Sequence, residues 1–138
     1  MISSSNCIFC LIASGQAPAN CVHEDATTLA FMDVAPASDG HLLVIPRSHH
    51  ESILDVDDGA ITDVARAVQK MARAVQKALT PDGMRVSQFN GRAAGQTVFH
   101  YHVHVVPIRA GERPASHGRA AGDPDRIEAI AARIRASL

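Results

Sequence analysis

The sequence predicts a single α+β domain built on an antiparallel sheet. Apolar residues recur at three- and four-residue spacing between Asp57 and Leu79, which is the pattern of one amphipathic helix. Short apolar and β-branched runs elsewhere predict strands, and these do not alternate with helices as βαβ units would. A chain of 138 residues has room for one domain, so we assign residues 1–138 to it.

The remaining elements follow in mixed order. A short helical segment is expected at Cys7–Ser14, and a last helix begins with Asp123 as N-cap and Pro124 in its first turn. The segment 108–122 is mostly polar and rich in Gly and Pro, so it is predicted to be irregular, and no role is assigned to it or to its His117. The runs that predict strands are 27–34, 41–45, 84–89 and 98–108.

Composition and charge exclude several classes of partner. The chain carries 13 basic and 14 acidic residues, so it lacks the basic excess of a nucleic-acid binder. Its longest apolar run, Cys7–Ala13, is far shorter than the roughly 20 residues that span a bilayer. The amino terminus has no basic region, and three serines at 3–5 interrupt any signal sequence. We therefore expect a cytoplasmic protein without nucleic-acid or membrane partners.

Three histidines share one predicted strand. His100, His102 and His104 alternate with apolar residues in FHYHVHVVP, so a strand places all three on one face at a spacing of roughly 6.5–7 Å. The intervening Tyr101 and Val103 then face the core. Packing alone rarely explains three imidazoles in a row. The pattern therefore predicts a functional site, either for catalysis or for binding a metal.

A Cys-x-x-Cys motif lies near the amino terminus. Cys7 and Cys10 supply two ligands, whereas a closed structural zinc site needs four. A redox role is the rival interpretation, but redox motifs of this kind usually follow a strand in a βαβ unit. The motif alone does not identify the remaining ligands.

The histidine row, with its flanking blocks, resembles a known family. Residues 100–106 resemble the His-φ-His-φ-His-φφ signature of the histidine triad (HIT) superfamily. The segments CIFCLIASGQAPA, LAFMDVAPASDGHLLVIPRSH and FNGRAAGQTVFHYHVHVVP resemble its Hint branch, in order and at matching separations, over residues 7 to about 107. The resemblance implies a HIT-like fold, with an antiparallel sheet of about five strands, a long helix and a C-terminal helix. It also implies a homodimer that pairs through the long helix and a strand.

The resemblance implies chemistry at the α-phosphate of a purine nucleotide such as AMP or its phosphoramidates. His102 would be the nucleophile, and water would then hydrolyse the nucleotidyl-histidine. Its other ring nitrogen should donate to a nearby backbone carbonyl. His104 would donate to the phosphoryl oxygens or to the leaving group. Gln96 and Thr97 offer side-chain donors and Gly95 permits a close backbone approach to the phosphate, so no catalytic metal is required.

Other positions are expected to hold the nucleoside. Asp33 would bind the ribose hydroxyls, and Asn90 would contact the ribose or the phosphate. Both assignments rest on the resemblance. The residues expected to enclose the base share an apolar side chain; they are Ile8, Phe9, Ile12, Phe31, Val34 and Leu43.

A zinc-binding subset of the family has Cys-x-x-Cys at this place and completes the site with two histidines. The matching residues are His49, rather than the adjacent His50, and His100. Structural Zn²⁺ is therefore expected on Cys7, Cys10, His49 and His100. Cys21 matches no ligand position and is interpreted as an ordinary thiol. Without zinc, His100 is expected to hydrogen-bond with His41.

Three functions follow from these patterns. The preferred one is a nucleoside phosphoramidase-type hydrolase, because the sequence blocks resemble the Hint branch most closely. The second is a dinucleoside polyphosphate hydrolase of the same family. The third is a zinc-stabilised nucleotide-binding or adaptor protein with little turnover, against which the complete set of His102, His104, Gln96 and Thr97 argues.

Overall fold

The computed structural model describes residues 6–115 and 120–138; residues 1–5 of the amino-terminal segment and His117 lie outside that range. Its centre is one antiparallel sheet in the order β1-β2-β3-β5-β4. The strands are β1 (Cys21–Glu24), β2 (Thr28–Met32), β3 (Leu42–Pro46), β4 (Gly83–Ser87) and β5 (Val103–Ile108). The helices are α1 (Ile8–Ala13), α2 (Asp58–Leu79) and α3 (Pro124–Arg135), with a 3₁₀ turn at Arg92–Ala94. This arrangement confirms the predicted α+β fold.

The two long helices begin and pack as their sequences predict. The Asp57 carboxylate accepts from the Ala60 amide at 2.8 Å to cap α2, and the Asp123 carboxylate caps α3. Both helices lie against one face of the sheet. Within the described ranges no helix is both long and apolar enough to cross a membrane. The α2 residues buried against the sheet form one stripe: Val64, Ala67, Met71, Ala74, Val75 and Leu79.

The two faces of the sheet have different roles. The face under α2 and α3 forms the main core, to which β5 contributes Val103 and Val105. The opposite face carries α1, and Phe9 packs there against Phe31 and Leu43. Because side chains alternate along a strand, His104 lies on this second face, opposite Leu43 in the β3–β5 register. The candidate site therefore lies on the sheet face that the long helices leave uncovered.

The predicted strand 98–108 is too long, because the regular strand begins only at Val103. β3 pairs with β5 over three residues, ending at Val44 opposite Val103. Beyond that point the chain bonds instead to the loop after β3: the Tyr101 amide donates to the carbonyl of His50 at 2.6 Å. The backbone therefore leaves the sheet while the periodicity of the sequence continues.

The strand β1 was not predicted. It is four residues long, two of them polar, and only Val22 is buried. The strand has no periodic sequence pattern of its own, and its position depends on the turn that follows it. In that turn the Asp25 carboxylate accepts from the amides of Thr27 and Thr28 at 2.9 and 2.7 Å. Such an Asx-type turn aligns β1 antiparallel to β2. The other predicted strands agree with the structure to within two residues.

The segment after β5 returns to the loop that follows β2. The Ala115 amide donates to the carbonyl of Ala37 at 2.8 Å, and the Gly122 amide donates to the carbonyl of Val34 at 2.8 Å. Both bonds lie outside regular elements. They bring the irregular C-terminal segment to the side of the sheet face that carries the histidines.

Candidate active site and metal centre

Two thiols and two imidazoles converge at the start of α1. The Nδ1 atom of His100 lies 3.4 Å from Sγ of Cys7 and 3.5 Å from Sγ of Cys10. The Nδ1 atom of His49 lies 3.3 Å from Sγ of Cys10. All four atoms lie within 4.8 Å of one another. The structure thus brings together the four residues that the sequence comparison selected as zinc ligands.

Three separate parts of the chain supply this cluster. Cys7 is the N-cap of α1, His49 lies in the loop after β3, and His100 precedes β5. The Nε2 atom of His100 is 2.8 Å from the carbonyl oxygen of Pro46, so it carries the proton and donates. The Nδ1 lone pair therefore faces the thiols. Burial lowers the pKa of His100 to about 4, which keeps the ring neutral, as a metal ligand must be.

The spacing fits zinc. Zn–S bonds of about 2.3 Å and Zn–N bonds of about 2.0–2.1 Å in a tetrahedron separate sulfur from nitrogen by about 3.6 Å. Three of the four sulfur–nitrogen distances are 3.3–3.5 Å. The hydrogen bond from His100 to a carbonyl is also the outer support usual for a metal-bound imidazole. His50 lies outside the group, with Nε2 3.0 Å from the Ser48 hydroxyl.

His102 is held in the tautomer that a nucleophile needs. Its Nδ1 atom lies 2.7 Å from the backbone carbonyl of His100, to which it donates. In the neutral ring the lone pair is therefore on Nε2. The ring packs edge-on against Phe9, with centroids 5.2 Å apart, and lies 5.0 Å from the ring of His104. The expected hydrogen bond to a backbone carbonyl is thus present.

His41 determines the tautomer of His104. The Ala37 amide donates to Nδ1 of His41 at 2.9 Å, so the proton of neutral His41 is on Nε2. That atom lies 3.0 Å from Nδ1 of His104 and 3.4 Å from Oδ2 of Asp33. Donation to His104 leaves the proton of neutral His104 on its Nε2 atom. The three side chains linked by these contacts are all buried: Asp33, His41 and His104.

The bond between His41 and His100, which was expected only without zinc, is not formed in the structure. Both ring nitrogens of His100 are already engaged, one by Pro46 and the other by the thiols. Sequence reasoning therefore gave His41 the wrong partner and missed its contact with His104. One signal was available: strand alternation places His41 on the same face as Leu43, which lies opposite His104.

The loop before β5 is braced by Gln96. Its side-chain NH₂ donates to the carbonyls of Glu51 at 2.6 Å and Val98 at 3.1 Å, and its oxygen accepts from the Gly91 amide at 2.7 Å. Since both amide hydrogens have backbone acceptors, the residue positions the loop in this structure. Its expected donation to a phosphoryl oxygen stays a prediction.

The neighbouring loop residues occupy different places. Gly95 has φ +101°, a conformation that favours glycine, and it lines a cleft beside His104 together with the exposed Thr97. The Asn90 side chain bonds to Gln88 and accepts from the Ile53 amide at 2.8 Å. Its expected contact with a nucleotide stays a prediction.

Phe89 was missed by the sequence reasoning. Its ring centroid lies 5.4 Å from that of His104, so an apolar ring borders this histidine. It directly precedes the candidate residue Asn90. The register of β4, which places Ser87 opposite His104, brings this loop to the site.

The apolar residues expected around the base are partly assembled. Phe9 and Phe31 pack edge-on with centroids 5.3 Å apart, and Leu43 and Ile12 join the same cluster. Two others are exposed: Ile8 by 46% and Val34 by 71% of their surface. Asp33 directly follows β2, beside this cluster, and its carboxylate also accepts from the Ala35 amide at 2.8 Å. Their contacts with a nucleoside stay predictions.

Comparisons with known proteins agree with this geometry. The HIT domain model matches residues 14–111. Adenosine 5′-monophosphoramidase of Schizosaccharomyces pombe is 42% identical over 102 residues, which cover 74% of this chain and 75% of that protein. The crystal structure of a Hit-like protein from Bartonella henselae superposes with a TM-score of 0.90 at 38% identity, covering 99% of each chain.

A fourth comparison concerns the metal centre. A Zn-bound histidine triad family protein from Mycobacterium smegmatis has a TM-score of 0.87 at 39% identity, covering 98% of this chain and 94% of that one. That neighbour and the Cys/His cluster are together consistent with zinc binding. The matched domain, the fold and the histidine row place this chain in the HIT family of nucleotide-processing hydrolases.

Proposed function

We propose that this protein is a nucleoside phosphoramidase, which hydrolyses the P–N bond between the α-phosphate of a purine nucleotide and an amine. The observation that carries the proposal is the pair of opposite tautomers at His102 and His104. His102 presents a lone pair on Nε2, and His104 presents a proton on Nε2, with ring centroids 5.0 Å apart. The S. pombe relative, an adenosine 5′-monophosphoramidase, supports the same substrate class.

The reaction proceeds in two displacements. Nε2 of His102 attacks phosphorus as the P–N bond breaks, and the departing amine takes the proton from Nε2 of His104. At the same time Nδ1 of His104 takes the proton of His41, and His41 takes one from solvent by way of Asp33, so that both rings stay neutral. His102 then carries positive charge, which its Nδ1–H donation to the carbonyl of His100 stabilises. Water then attacks phosphorus, gives a proton back to His104, and releases AMP and neutral His102. Positioning and charge stabilisation provide the catalysis.

We also propose structural zinc on Cys7, Cys10, His49 and His100. When bound, the ion supplies a cross-link between α1, the loop after β3 and the segment before β5. The chain itself positions the catalytic ring, because the carbonyl that holds His102 belongs to the proposed ligand His100. For the whole chain we propose a single HIT domain that forms a homodimer through the long helix and a strand. The exposed Val86 on the edge strand β4 supports this interface.

The test compares hydrolysis of adenosine 5′-phosphoramidate and diadenosine tetraphosphate without added metal. Wild type should release AMP from the phosphoramidate faster, and His102→Ala should lose this activity while still binding AMP. His23→Ala is the control, because His23 lies on β1 beside Asp25, away from the row. Preference for the dinucleotide would contradict the proposed leaving group, and turnover of neither substrate would favour a binding protein.

A further inference from the structure

A cleft opens on the side of His104 that faces β4. Its volume is about 440 Å³, and its lining includes His104, Gly95 and Thr97. The apolar cluster proposed for the nucleoside lies on the other side of β5, on α1, β2 and β3. A phosphorus atom at the histidine row would therefore have the nucleoside on one side and this cleft on the other. The cleft is the space that remains for the leaving group.

In-line displacement supports the same placement. The attacking and leaving atoms lie roughly opposite each other across phosphorus. The cleft is lined by His104, the proposed donor to the leaving amine, and His102 is not part of its lining. A group that departs away from His102 and accepts a proton from His104 would enter this cleft.

One side chain gives the cleft its charge. Arg85 lies on β4 opposite Val106, and Ser87 lies opposite His104, so strand alternation puts Arg85 on the face of the histidine row. Diagonal neighbours across a strand pair are about 7–8 Å apart, within reach of an arginine side chain. Among the described residues, the lining of the cleft contains Arg85 and no carboxylate.

The Arg85 guanidinium has no structural partner within residues 6–115 and 120–138. Three other arginines in this part of the chain do have partners. Arg126 pairs with Asp39, and Arg135 pairs with Glu128. Arg109 donates to the carbonyl of Leu79. Arg85 is exposed, and its five N–H donors are available to a group in the cleft. An arginine placed this way binds carboxylate or phosphate oxygens in a fork.

Apolar side chains form two other walls of the cleft, beside the polar Ser87 and Thr97. Phe89 forms one wall, and Pro114 and Ala115 of the C-terminal segment form another. The bond from the Ala115 amide to the carbonyl of Ala37 fixes that second wall. The nucleoside side, in contrast, has the carboxylate of Asp33 at the end of β2. Arg85 therefore gives the cleft a positive charge, whereas the Asp33 carboxylate lies outside the described lining, 3.4 Å from Nε2 of His41.

We propose that Arg85 is a specificity-determining residue that binds a negatively charged group on the leaving amine, so that the preferred substrates are nucleotide phosphoramidates of carboxylate-bearing amines such as amino acids. This inference rests on the proposed phosphoramidase function. Arg85 takes no part in bond making. It recognises the anion while the amine nitrogen accepts its proton from His104.

The experiment uses two substrates of nearly equal size: AMP joined through nitrogen to an amino acid, and the same compound with its carboxylate converted to the neutral amide. We expect wild type to prefer the carboxylate about fivefold in kcat/KM, the scale of a solvent-accessible charged contact. Arg85→Gln should bring the ratio to about 1, and Arg85→Glu should invert it. Added salt should reduce the wild-type ratio.

Arg73→Gln on α2 is the matched control and should keep the wild-type ratio, because this arginine borders a different surface cleft. An Arg85→Gln ratio equal to that of wild type, with both substrates turned over, would overturn the inference and leave the phosphoramidase function intact. If Arg85→Gln slowed only diadenosine tetraphosphate, the anion would be a phosphate and the carboxylate assignment would be overturned. No turnover of either phosphoramidate would overturn both proposals.

Discussion

His100 and His104 lie at opposite ends of one row, four residues apart, and both rings are almost completely buried. Their surroundings nevertheless differ. His100 donates through Nε2 to a carbonyl and turns Nδ1 to two thiols, whereas His104 accepts a hydrogen bond at Nδ1 from another imidazole, His41. The same residue type in one alternating row thus turns a lone pair towards two thiols at one end and accepts a hydrogen bond from an imidazole at the other.

The middle residue completes the comparison. His102 carries its proton on Nδ1, whereas both neighbours in the row carry theirs on Nε2. Each tautomer is fixed by a group from elsewhere in the chain or from the adjacent backbone. The sequence motif therefore only aligns the three rings. The hydrogen-bond partners of each ring, supplied by other parts of the chain, determine which nitrogen carries its proton.

The largest expected effect on activity comes from substituting His102, in the middle of the row, and it should not extend to the zinc ligands. His102→Gly should reduce AMP release from adenosine 5′-phosphoramidate by at least about 10³-fold, because it removes the nucleophile. Zinc content should stay at the wild-type value. Added imidazole should occupy the vacated space and restore part of the rate, measured as AMP released over time. Loss of zinc in this variant, or a rate insensitive to imidazole, would contradict the separation.

Substitution of a proposed zinc ligand should instead lower the zinc content and the stability of the protein. Cys10→Ser should lose bound zinc and the stabilisation that a tightly bound ion gives, about 3–4 kcal/mol, which lowers Tm by roughly 10 °C. Cys21→Ser makes the same substitution at a thiol outside the cluster and should retain zinc. The measurements are metal analysis and thermal unfolding. Equal zinc content in both variants would refute the proposed ligand set.

The catalytic rate can be lowered without substituting any histidine of the row. His41→Leu removes the donor to Nδ1 of His104, so we expect kcat to fall about 10–100-fold, a part of what a general acid contributes. KM and zinc content should change little. His41→Gln offers an amide N–H in the same direction and should recover part of kcat. If both variants lowered only the folding stability, His41 would be structural rather than a positioning residue.

The smallest effect lies away from the row, in the turn after β1. Burial opposes ionisation of Asp25, but hydrogen bonds from Thr27 and Thr28 outweigh it and lower its pKa to about 2. The ionised carboxylate therefore stabilises the fold fully above pH 4, and this stability is lost between pH 4 and pH 2. Solvent screens this half-exposed group, so Asp25→Ala should cost about 1 kcal/mol at pH 7.

Urea unfolding at several pH values measures that cost. The difference between wild type and Asp25→Ala should shrink as the pH falls from 4 towards 2, while phosphoramidase activity at pH 7 stays unchanged. A constant difference would mean that the turn is stabilised by packing rather than by the charge.

The parts of the fold that could be predicted depend on patterns within one element. The apolar stripe of α2 and the Asp–Pro start of α3 are local signals, and both helices lie where expected. The cluster of Cys7, Cys10, His49 and His100 was predicted only through resemblance to a family, because nothing in the spacing of residues 93 positions apart implies contact. The structure confirms that the four side chains meet.

The features that the sequence did not predict correctly depend on contacts between distant segments of the chain. The alternation of apolar residues begins at Phe99, four residues before the start of β5 at Val103. The buried amide of Gln96 offers the same donors to a phosphate or to a carbonyl, and only the fold of its loop decides between them. The bond between His41 and His104 likewise crosses from one strand to another.

The bond from the Tyr101 amide to the carbonyl of His50 has a consequence for local opening. It is 2.6 Å long and lies outside the sheet ladder, between the segment that carries His100 and His102 and the loop that carries His49. Hydrogen exchange of the Tyr101 amide therefore reports the separation of these two segments. Because the same separation would pull His49 from His100 and shift the carbonyl that holds His102, exchange at this one amide sets an upper limit on how often the cluster and the nucleophile come apart together.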